Sequence, residues 1–185
     1  VAADGINSAV RTANAGVFDP DLDRRSNKYI WLGTDRVFEA FQFFVKSTPW
    51  GTMQIHGYPY SGEGSTFIVE MAEDVWRRAG FDRTENDAFP PGTSDQFAVE
   101  RIAEIFSDEL QGHTILTNNS KWLNFVTVRN NRWHDGNLVL LGDAAHTAHF
   151  SIGSGTKLAM EDALALAACL HESSDVDAAL EAYQT

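Results

Sequence analysis

The stretch Leu138-Val139-Leu140-Leu141-Gly142-Asp143-Ala144-Ala145-His146 joins a short apolar run to a glycine and an acid. Continuous apolar runs of this length, bounded by turn residues, are typical of strands that are buried on both faces. Such a strand delivers Asp143 at its carboxyl end, which is where open α/β sheets bind their ligands. Gly153-Ser154-Gly155 follows, and then an apolar pattern that predicts a helix over residues 156–171.

These residues favour a ligand that carries both hydroxyl groups and a flat ring. The Asp143 carboxylate can accept hydrogen bonds from sugar-like hydroxyls, and Gly153 and Gly155 let the backbone approach a planar group closely. The predicted helix directs unpaired N–H groups and the positive end of its dipole at whatever lies before it. A ligand with a polyol chain and a ring that accumulates negative charge, such as reduced flavin, fits this arrangement.

The residues before this motif have the sequence pattern of a β-rich domain, with apolar and polar residues alternating along short segments. Strands are predicted at residues 29–33, 38–46, 51–60, 65–71, 115–116, 123–128 and 137–141. Turn residues between the first four favour antiparallel neighbours. Helices are predicted at 73–79 and from Thr93, where Gln96 would complete a capping box. We therefore predict an α+β fold, with a mixed, largely antiparallel sheet of about six or seven strands and flanking helices.

Composition excludes several classes of protein. The net charge of -12 argues against nucleic acid as a partner, because phosphate binding needs a basic field. The single cysteine, Cys169, excludes an intrachain disulfide framework, and no cluster of His and Cys predicts a metal site. No secretory signal is visible, and no apolar run approaches the ~20 residues of a membrane span. These observations favour a cytoplasmic protein.

Two motifs carry a resemblance to a known family. Gly142-Asp143-Ala144-Ala145-His146, with Gly153-Ser154-Gly155 and Glu161-Asp162-Ala163, resembles the second FAD motif of the single-component flavoprotein aromatic hydroxylases. Asp4-Gly5-Ile6-Asn7-Ser8-Ala9-Val10-Arg11 resembles their Asp-Gly motif. Residues 149–158 resemble most the branch that acts on aromatic acyl-CoA thioesters, the salicyloyl-CoA 5-hydroxylase and 2-aminobenzoyl-CoA monooxygenase branch.

The resemblance implies a role for each motif. Asp143, with Gly142, would hold the ribityl chain of FAD, and Gly153, Ser154, Gly155 and Thr156 would face the pyrimidine edge of its ring. Asp4 and Gly5 would support the phosphate region, and Arg11 belongs to the same cofactor-binding motif. No catalytic side chain is assigned. The implied organisation is a remnant of the FAD domain at 1–27, a substrate-binding sheet domain at 28–134 and the C-terminal part of the FAD domain at 135–185.

The implied activity is that of an FAD- and NAD(P)H-dependent monooxygenase, which hydroxylates an aromatic substrate through a flavin C4a-hydroperoxide. An aryl-CoA thioester is the first candidate substrate. One alternative is a flavin hydroxylase of free phenols or indole pigment precursors, and another is a non-catalytic binding module that keeps the motif only as packing.

A dinucleotide-binding motif is missing from the sequence. No Gly-x-Gly-x-x-Gly follows a predicted strand, so the adenine half of an FAD site is absent. Both ends also look cut, and we expect an internal fragment that lacks the N-terminal nucleotide-binding segment. A flavin reductase-like domain could follow it in the parent chain. The isolated fragment is therefore expected to bind FAD weakly or not at all, and to be inactive.

Other side chains stay open to two interpretations. His146 favours a structural role, because no Gly-x-Ser-x-Gly elbow accompanies it as in hydrolases. Lys157 opposes the helix dipole, so it either meets an anion or extends into solvent. Phenylalanines 38, 41, 43 and 44 are core residues by default, although one or two could line an aromatic pocket.

Overall fold

The computed structural model describes residues 1–184; Thr185, the last residue of the predicted C-terminal segment, lies outside the described residues. The strands are β1 (Pro20–Thr34), β2 (Gln42–Thr48), β3 (Gly51–Pro59), β4 (Ser65–Met71), β5 (Ile115–Leu116), β6 (Leu123–Asn130), β7 (His134–Asp135) and β8 (Leu138–Val139). The helices are α1 (Ala9–Ala13), α2 (Ala15–Phe18), α3 (Glu73–Arg78), α4 (Gln96–Ile105), α5 (Ser107–Leu110), α6 (Gly155–Glu172) and α7 (Val176–Gln184). None of the described helices is both long and apolar enough to cross a membrane.

The chain forms two compact units. The first unit consists of Val1–Arg25 together with the chain from Val126 onward, and the second unit is Ser26–Phe125. A six-stranded sheet has the order β2-β3-β4-β1-β5, with β6 paired to β1, while β7 and β8 form a separate hairpin. The pairings of β1 with β4, of β2 with β3 and of β3 with β4 are antiparallel, which confirms the predicted α+β fold class.

One face of the sheet in the second unit carries the main core. The inward positions alternate along each strand, as Ile30 and Leu32 do on β1 and Met53 and Ile55 do on β3. Helices α3, α4 and α5 add Trp76, Ile102 and Leu110, among other side chains, to the same core. The apolar residues of α4 recur at helical spacing, so burial of this face accounts for most of the helix stability.

The four phenylalanines divide between the two faces of this sheet. Phe38 and Phe44 pack in or against the core. Phe41 and Phe43 lie about half exposed on the opposite side. The periodicity of a strand separates them, since Phe43 and Phe44 are consecutive residues on β2 and must point to opposite faces.

Two local predictions were wrong. The first strand was predicted at residues 29–33, but β1 begins at Pro20, and its outer half is exposed and polar and so has no hydrophobic alternation. The cap of α4 is Asp95, whose carboxylate accepts the Ala98 N–H at 3.0 Å, and not Thr93. The Thr93 hydroxyl instead donates to the Pro90 carbonyl at 2.7 Å, because the two prolines hold Thr93 in a turn.

Gly57 tests how tightly this core is packed. A Cβ atom added there would lie 2.7 Å from Cε2 of the buried Phe38 ring, whereas one added at Gly62 would meet nothing within 4 Å. We expect Gly57→Ala to lower the free energy of unfolding by about 1–3 kcal/mol through overpacking. Gly62→Ala is the control, with a change within about 0.5 kcal/mol. Urea denaturation followed by tryptophan fluorescence measures both, and equal stabilities would contradict the packing described here.

Candidate functional site

A short parallel bridge joins the two motifs within the first unit. The Ala2 N–H donates to the Val139 carbonyl at 2.7 Å, and the Leu141 N–H donates to the Ala2 carbonyl at 3.0 Å. The two segments run in the same direction, so the chain leaves both at the same edge. Asp4-Gly5 and Gly142-Asp143 follow immediately. The structure therefore brings the two predicted cofactor motifs together at the carboxyl ends of adjacent extended segments.

The Gly142-Asp143 turn requires its glycine. Gly142 has φ +61°, and a Cβ atom there would lie 3.2 Å from Cβ of Ala159 on α6. Its N–H donates to the Asp162 carboxylate at 2.9 Å. Asp143 follows in a short 3₁₀ turn, Gly142–Ala144, and its side chain is exposed. The close approach of α6 thus holds the turn, while the carboxylate of Asp143 remains available to a ligand.

Asp162 and His146 support this turn from behind. Nε2 of His146 lies 2.9 Å from the Asp162 carboxylate, and the Trp133 ring stacks on the imidazole with 4.8 Å between ring centroids. Asp162 is buried on α6, so its two partners offset the cost of removing the charge from water. His146 therefore has a structural role in this geometry, as a partner of the carboxylate that fixes Gly142.

Arg11 connects the two motifs and faces the protein interior. Its guanidinium donates to the Ala144 carbonyl at 3.0 Å and to the Ile6 carbonyl, and the residue is only 3% exposed. Burial lowers the pKa of Arg11, and the nearby charge of Asp4 opposes that shift. Because its donors are used on backbone carbonyls of both motifs, Arg11 holds the two predicted cofactor motifs against each other.

Asp4 supports the start of α1, whose N-cap residue is Ser8. Its carboxylate accepts the Ser8 hydroxyl at 2.5 Å and the Val10 N–H at 3.2 Å. The hydrogen bond from Ser8 lowers the pKa of Asp4 below its usual value. Gly5 has φ +82°, with open space where a side chain would stand. The charge at position 4 is thus oriented by α1, next to a glycine that leaves the backbone accessible.

The start of α6 presents backbone groups without competing side chains. Gly153 has φ +67° and open space around its Cα, and Ser154, the residue before the helix, makes no side-chain cap. No acid occupies the first turn of α6. Lys157 is exposed and pairs with Glu161, which supports the interpretation of this lysine as a solvated side chain. The Gly153 N–H already donates to the Phe150 carbonyl at 2.9 Å, so the N–H groups of residues 154–156 are the ones that suit an electron-rich ligand edge.

Asp162 is the residue whose role sequence reasoning missed. It was part of the motif but received no role. A signal was present, because Leu158, Asp162 and Leu166 lie at i, i+4 and i+8 on α6, and an acid among such positions faces inward. Asn130 was also missed; its amide donates to the Ala144 and Ala145 carbonyls. Within residues 1–184 no group of three or more His, Cys, Asp or Glu side chains could hold a metal ion.

Comparison with known proteins shows the family of the chain. The profile of the FAD binding domain family matches residues 1–185, so the chain belongs to that family. The family resemblance found in the two motifs is confirmed.

The chain is similar to two curated relatives and to one solved structure. Salicyloyl-CoA 5-hydroxylase of Streptomyces sp is 47% identical over the whole chain, which covers 36% of that protein. The 3-hydroxy-4-methyl-anthranilyl-[aryl-carrier protein] 5-monooxygenase of Streptosporangium sibiricum is 42% identical, with 46% covered. A variant of 2-methyl-3-hydroxypyridine-5-carboxylic acid oxygenase shares the fold, with a TM-score of 0.70 at 22% identity over 98% of this chain and 47% of its own. The chain thus spans less than half the length of these proteins.

The support given by Asp162 can be measured. Asp162→Ala leaves the buried Gly142 N–H and the His146 ring without their acceptor, so we expect a loss of about 1–3 kcal/mol in unfolding free energy. Asp162→Asn keeps an oxygen that can accept the Gly142 N–H and should lose clearly less. Urea denaturation of the two variants provides the comparison. Equal losses would show that the hydrogen bond to Gly142 does not hold the turn.

Proposed function

We propose that this chain is part of an FAD-dependent monooxygenase that hydroxylates an aromatic substrate, with NAD(P)H as co-substrate. The observation that carries the proposal is the bridge between Ala2 and Leu140, which places two acid-and-glycine turns at one edge. Family membership supports FAD as the ligand, and the names of the relatives support the hydroxylation of an aromatic group.

The residues at this edge fit one half of an FAD molecule. The exposed Asp143 carboxylate would accept hydrogen bonds from the ribityl hydroxyls. The N–H groups of Ser154, Gly155 and Thr156 would face the pyrimidine edge of the ring, where the α6 dipole favours negative charge, and Gly153 would let the backbone approach the ring. Asp4 and Gly5 would border the phosphates, with Arg11 holding both turns in register. The positive φ of Gly142 and Gly153 is the structural feature that makes this close approach feasible.

The chemistry divides between the cofactor and the protein. FAD, when bound, supplies electron transfer from NAD(P)H and the activation of oxygen for hydroxyl transfer. The residues of this chain would bind and orient FAD and stabilise charge on its ring. Asp143 sets the position of the polyol chain, Asp162 and Arg11 fix the turn that carries Asp143, and the start of α6 stabilises charge on the ring.

We further propose an aromatic thioester as the substrate. One relative is named for a salicyloyl-CoA and the other for an aryl group on a carrier protein, so both names describe an aromatic acyl thioester. The motif resemblance at residues 149–158 leads to the same branch. The 185-residue chain alone should bind FAD weakly and be inactive, because its sequence contains no Gly-x-Gly-x-x-Gly turn for the pyrophosphate.

Asp143→Ala in the full-length parent protein tests the FAD assignment. Loss of charge-assisted hydrogen bonds should raise the Kd for FAD by about 10- to 100-fold. Asp135→Ala, at an exposed acid of the β7–β8 hairpin, is the matched control and should leave the Kd unchanged. Flavin absorbance of the purified proteins and fluorescence titration with FAD provide the readout. Unchanged affinity in Asp143→Ala would remove the carboxylate from the cofactor site.

The substrate class needs a separate experiment. The full-length protein is given NADH, oxygen and either an aryl-CoA thioester or the corresponding free aryl acid. We expect NADH oxidation to be stimulated by the thioester at least about tenfold more than by the acid, as binding energy from the remote carrier contributes to catalysis. Stronger stimulation by the free acid would favour a hydroxylase of free phenols. No flavin in the purified protein would favour a binding module instead.

A further inference from the structure

Asn130, the last residue of β6, contacts the backbone directly after Asp143. Its amide donates to the Ala144 carbonyl at 3.3 Å and also to the Ala145 carbonyl. Both alanines are 0% exposed, so their carbonyl oxygens lie away from bulk water and depend on donors within the protein. Asn130 thus supplies one NH2 group, with two hydrogens, to two successive carbonyls of the chain that leaves the Gly142–Ala144 turn.

The side chain of Asn130 meets these carbonyls in one orientation only. Two carbonyl oxygens lie at the end of the side chain, so the group that faces them is the NH2 and not the amide oxygen. Oδ1 of Asn130 is buried and accepts no hydrogen bond from the residues that the structure describes. The contact with the two carbonyls therefore orients the amide, and it is the polar interaction that this side chain contributes.

These hydrogen bonds fix the direction of the backbone beside Asp143. A peptide group is planar, so holding its carbonyl oxygen sets the direction of the whole group. Asn130 holds the peptide groups that follow Ala144 and Ala145, and the Arg11 guanidinium shares the Ala144 carbonyl at 3.0 Å. The direction in which the exposed Asp143 side chain leaves the turn is constrained by both residues.

The contact requires a particular residue type at position 130. The next residues of the chain also lie along β6, where the Thr147 N–H donates to the Val128 carbonyl at 3.1 Å and the Thr147 hydroxyl donates to the Val126 carbonyl at 3.0 Å. Those bonds use the backbone of β6, which any sequence provides. The bonds to Ala144 and Ala145 instead need a neutral side chain with two donor hydrogens on one nitrogen.

We propose that Asn130 is a positioning residue of the FAD site, which acts on the cofactor through Asp143. This inference rests on the proposed function and adds a residue from outside both cofactor motifs. By holding the carbonyls of Ala144 and Ala145, Asn130 keeps the Asp143 carboxylate in the direction in which it meets the ribityl hydroxyls. Asn130 is not a catalytic residue, because its NH2 group is used on the backbone after the turn.

The competing interpretation is that Asn130 only satisfies two buried carbonyls and so contributes to stability. In that case its removal would loosen the first unit as a whole, and any loss of FAD affinity would be the same whether or not Asp143 carries a carboxylate. A positioning role predicts a different pattern. The loss should then depend on Asp143, because no carboxylate is left to orient once that side chain is removed.

A double-mutant cycle in the full-length protein separates the two roles. The Kd of FAD is measured by fluorescence titration for the wild type, Asn130→Ala, Asp143→Ala and the double variant. We expect Asn130→Ala to raise the Kd about tenfold in the wild type and less than about twofold in the Asp143→Ala background. Asn131→Ala is the matched control, because the exposed Asn131 amide donates to the Asp19 carboxylate at 2.6 Å and not to the turn. It should leave the Kd unchanged in both backgrounds.

Two outcomes overturn the inference. One is an unchanged Kd in Asn130→Ala, and the other is an increase by the same factor in both backgrounds, which would show a structural role only. Circular dichroism of each variant shows whether it is folded. Should Asn130→Ala not fold, Asn130→Ser takes its place in the cycle, because its hydroxyl retains one donor hydrogen. A rise of about threefold that disappears in the Asp143→Ala background is then expected, and the same two outcomes overturn the inference.

Failure of the proposed function gives a different result. In that case the wild-type protein would purify without FAD, or Asp143→Ala would bind FAD as tightly as the wild type does, and the inference about Asn130 would fall with it. If FAD binds and Asp143→Ala weakens binding, while Asn130→Ala has no effect, only the role of Asn130 fails.

Discussion

The site depends on two backbone hydrogen bonds between Ala2 and the end of β8. These bonds align two segments of the chain that are far apart in sequence, so that Asp4 and Asp143 leave the pair at one edge. Everything proposed for the cofactor follows from that alignment. Arg11 reinforces the alignment, because its guanidinium donates to the Ile6 carbonyl of one turn and to the Ala144 carbonyl of the other. Together these contacts give the two carboxylates defined positions relative to each other.

Buried polar groups hold the turn after β8, which carries the exposed Asp143. Gly142 is held from α6 by contact with Ala159 and by the Asp162 carboxylate. His146 contacts the same Asp162 carboxylate, and Arg11 donates to the Ala144 carbonyl of the turn. Hydrogen bonds of this kind to a turn make it rigid, and rigidity reduces the ordering cost when a ligand binds. The position of the exposed Asp143 is therefore fixed by buried residues of the first unit.

Most of this local geometry could be predicted from the sequence, because residues close together in the chain determine it. The apolar run before Gly142 identified the strand, and the pattern after Gly155 predicted a helix within one residue of α6 at each end. The exposed half of β1 from Pro20 was missed, since its pairing with β6 is a non-local property without hydrophobic alternation. The pairing of His56 with Glu70 was equally invisible, because strand register decides which residues become diagonal neighbours.

Hydrogen–deuterium exchange of the full-length protein, with and without FAD, shows whether one ligand covers both turns. Amides at residues 4–6 and at residues 143–156 should both exchange more slowly when FAD is bound, because one ligand covers both turns and the start of α6. Protection of the two segments should appear at the same FAD concentration. Protection of only one segment, or of neither, would show that the bridge between Ala2 and β8 does not define a single site.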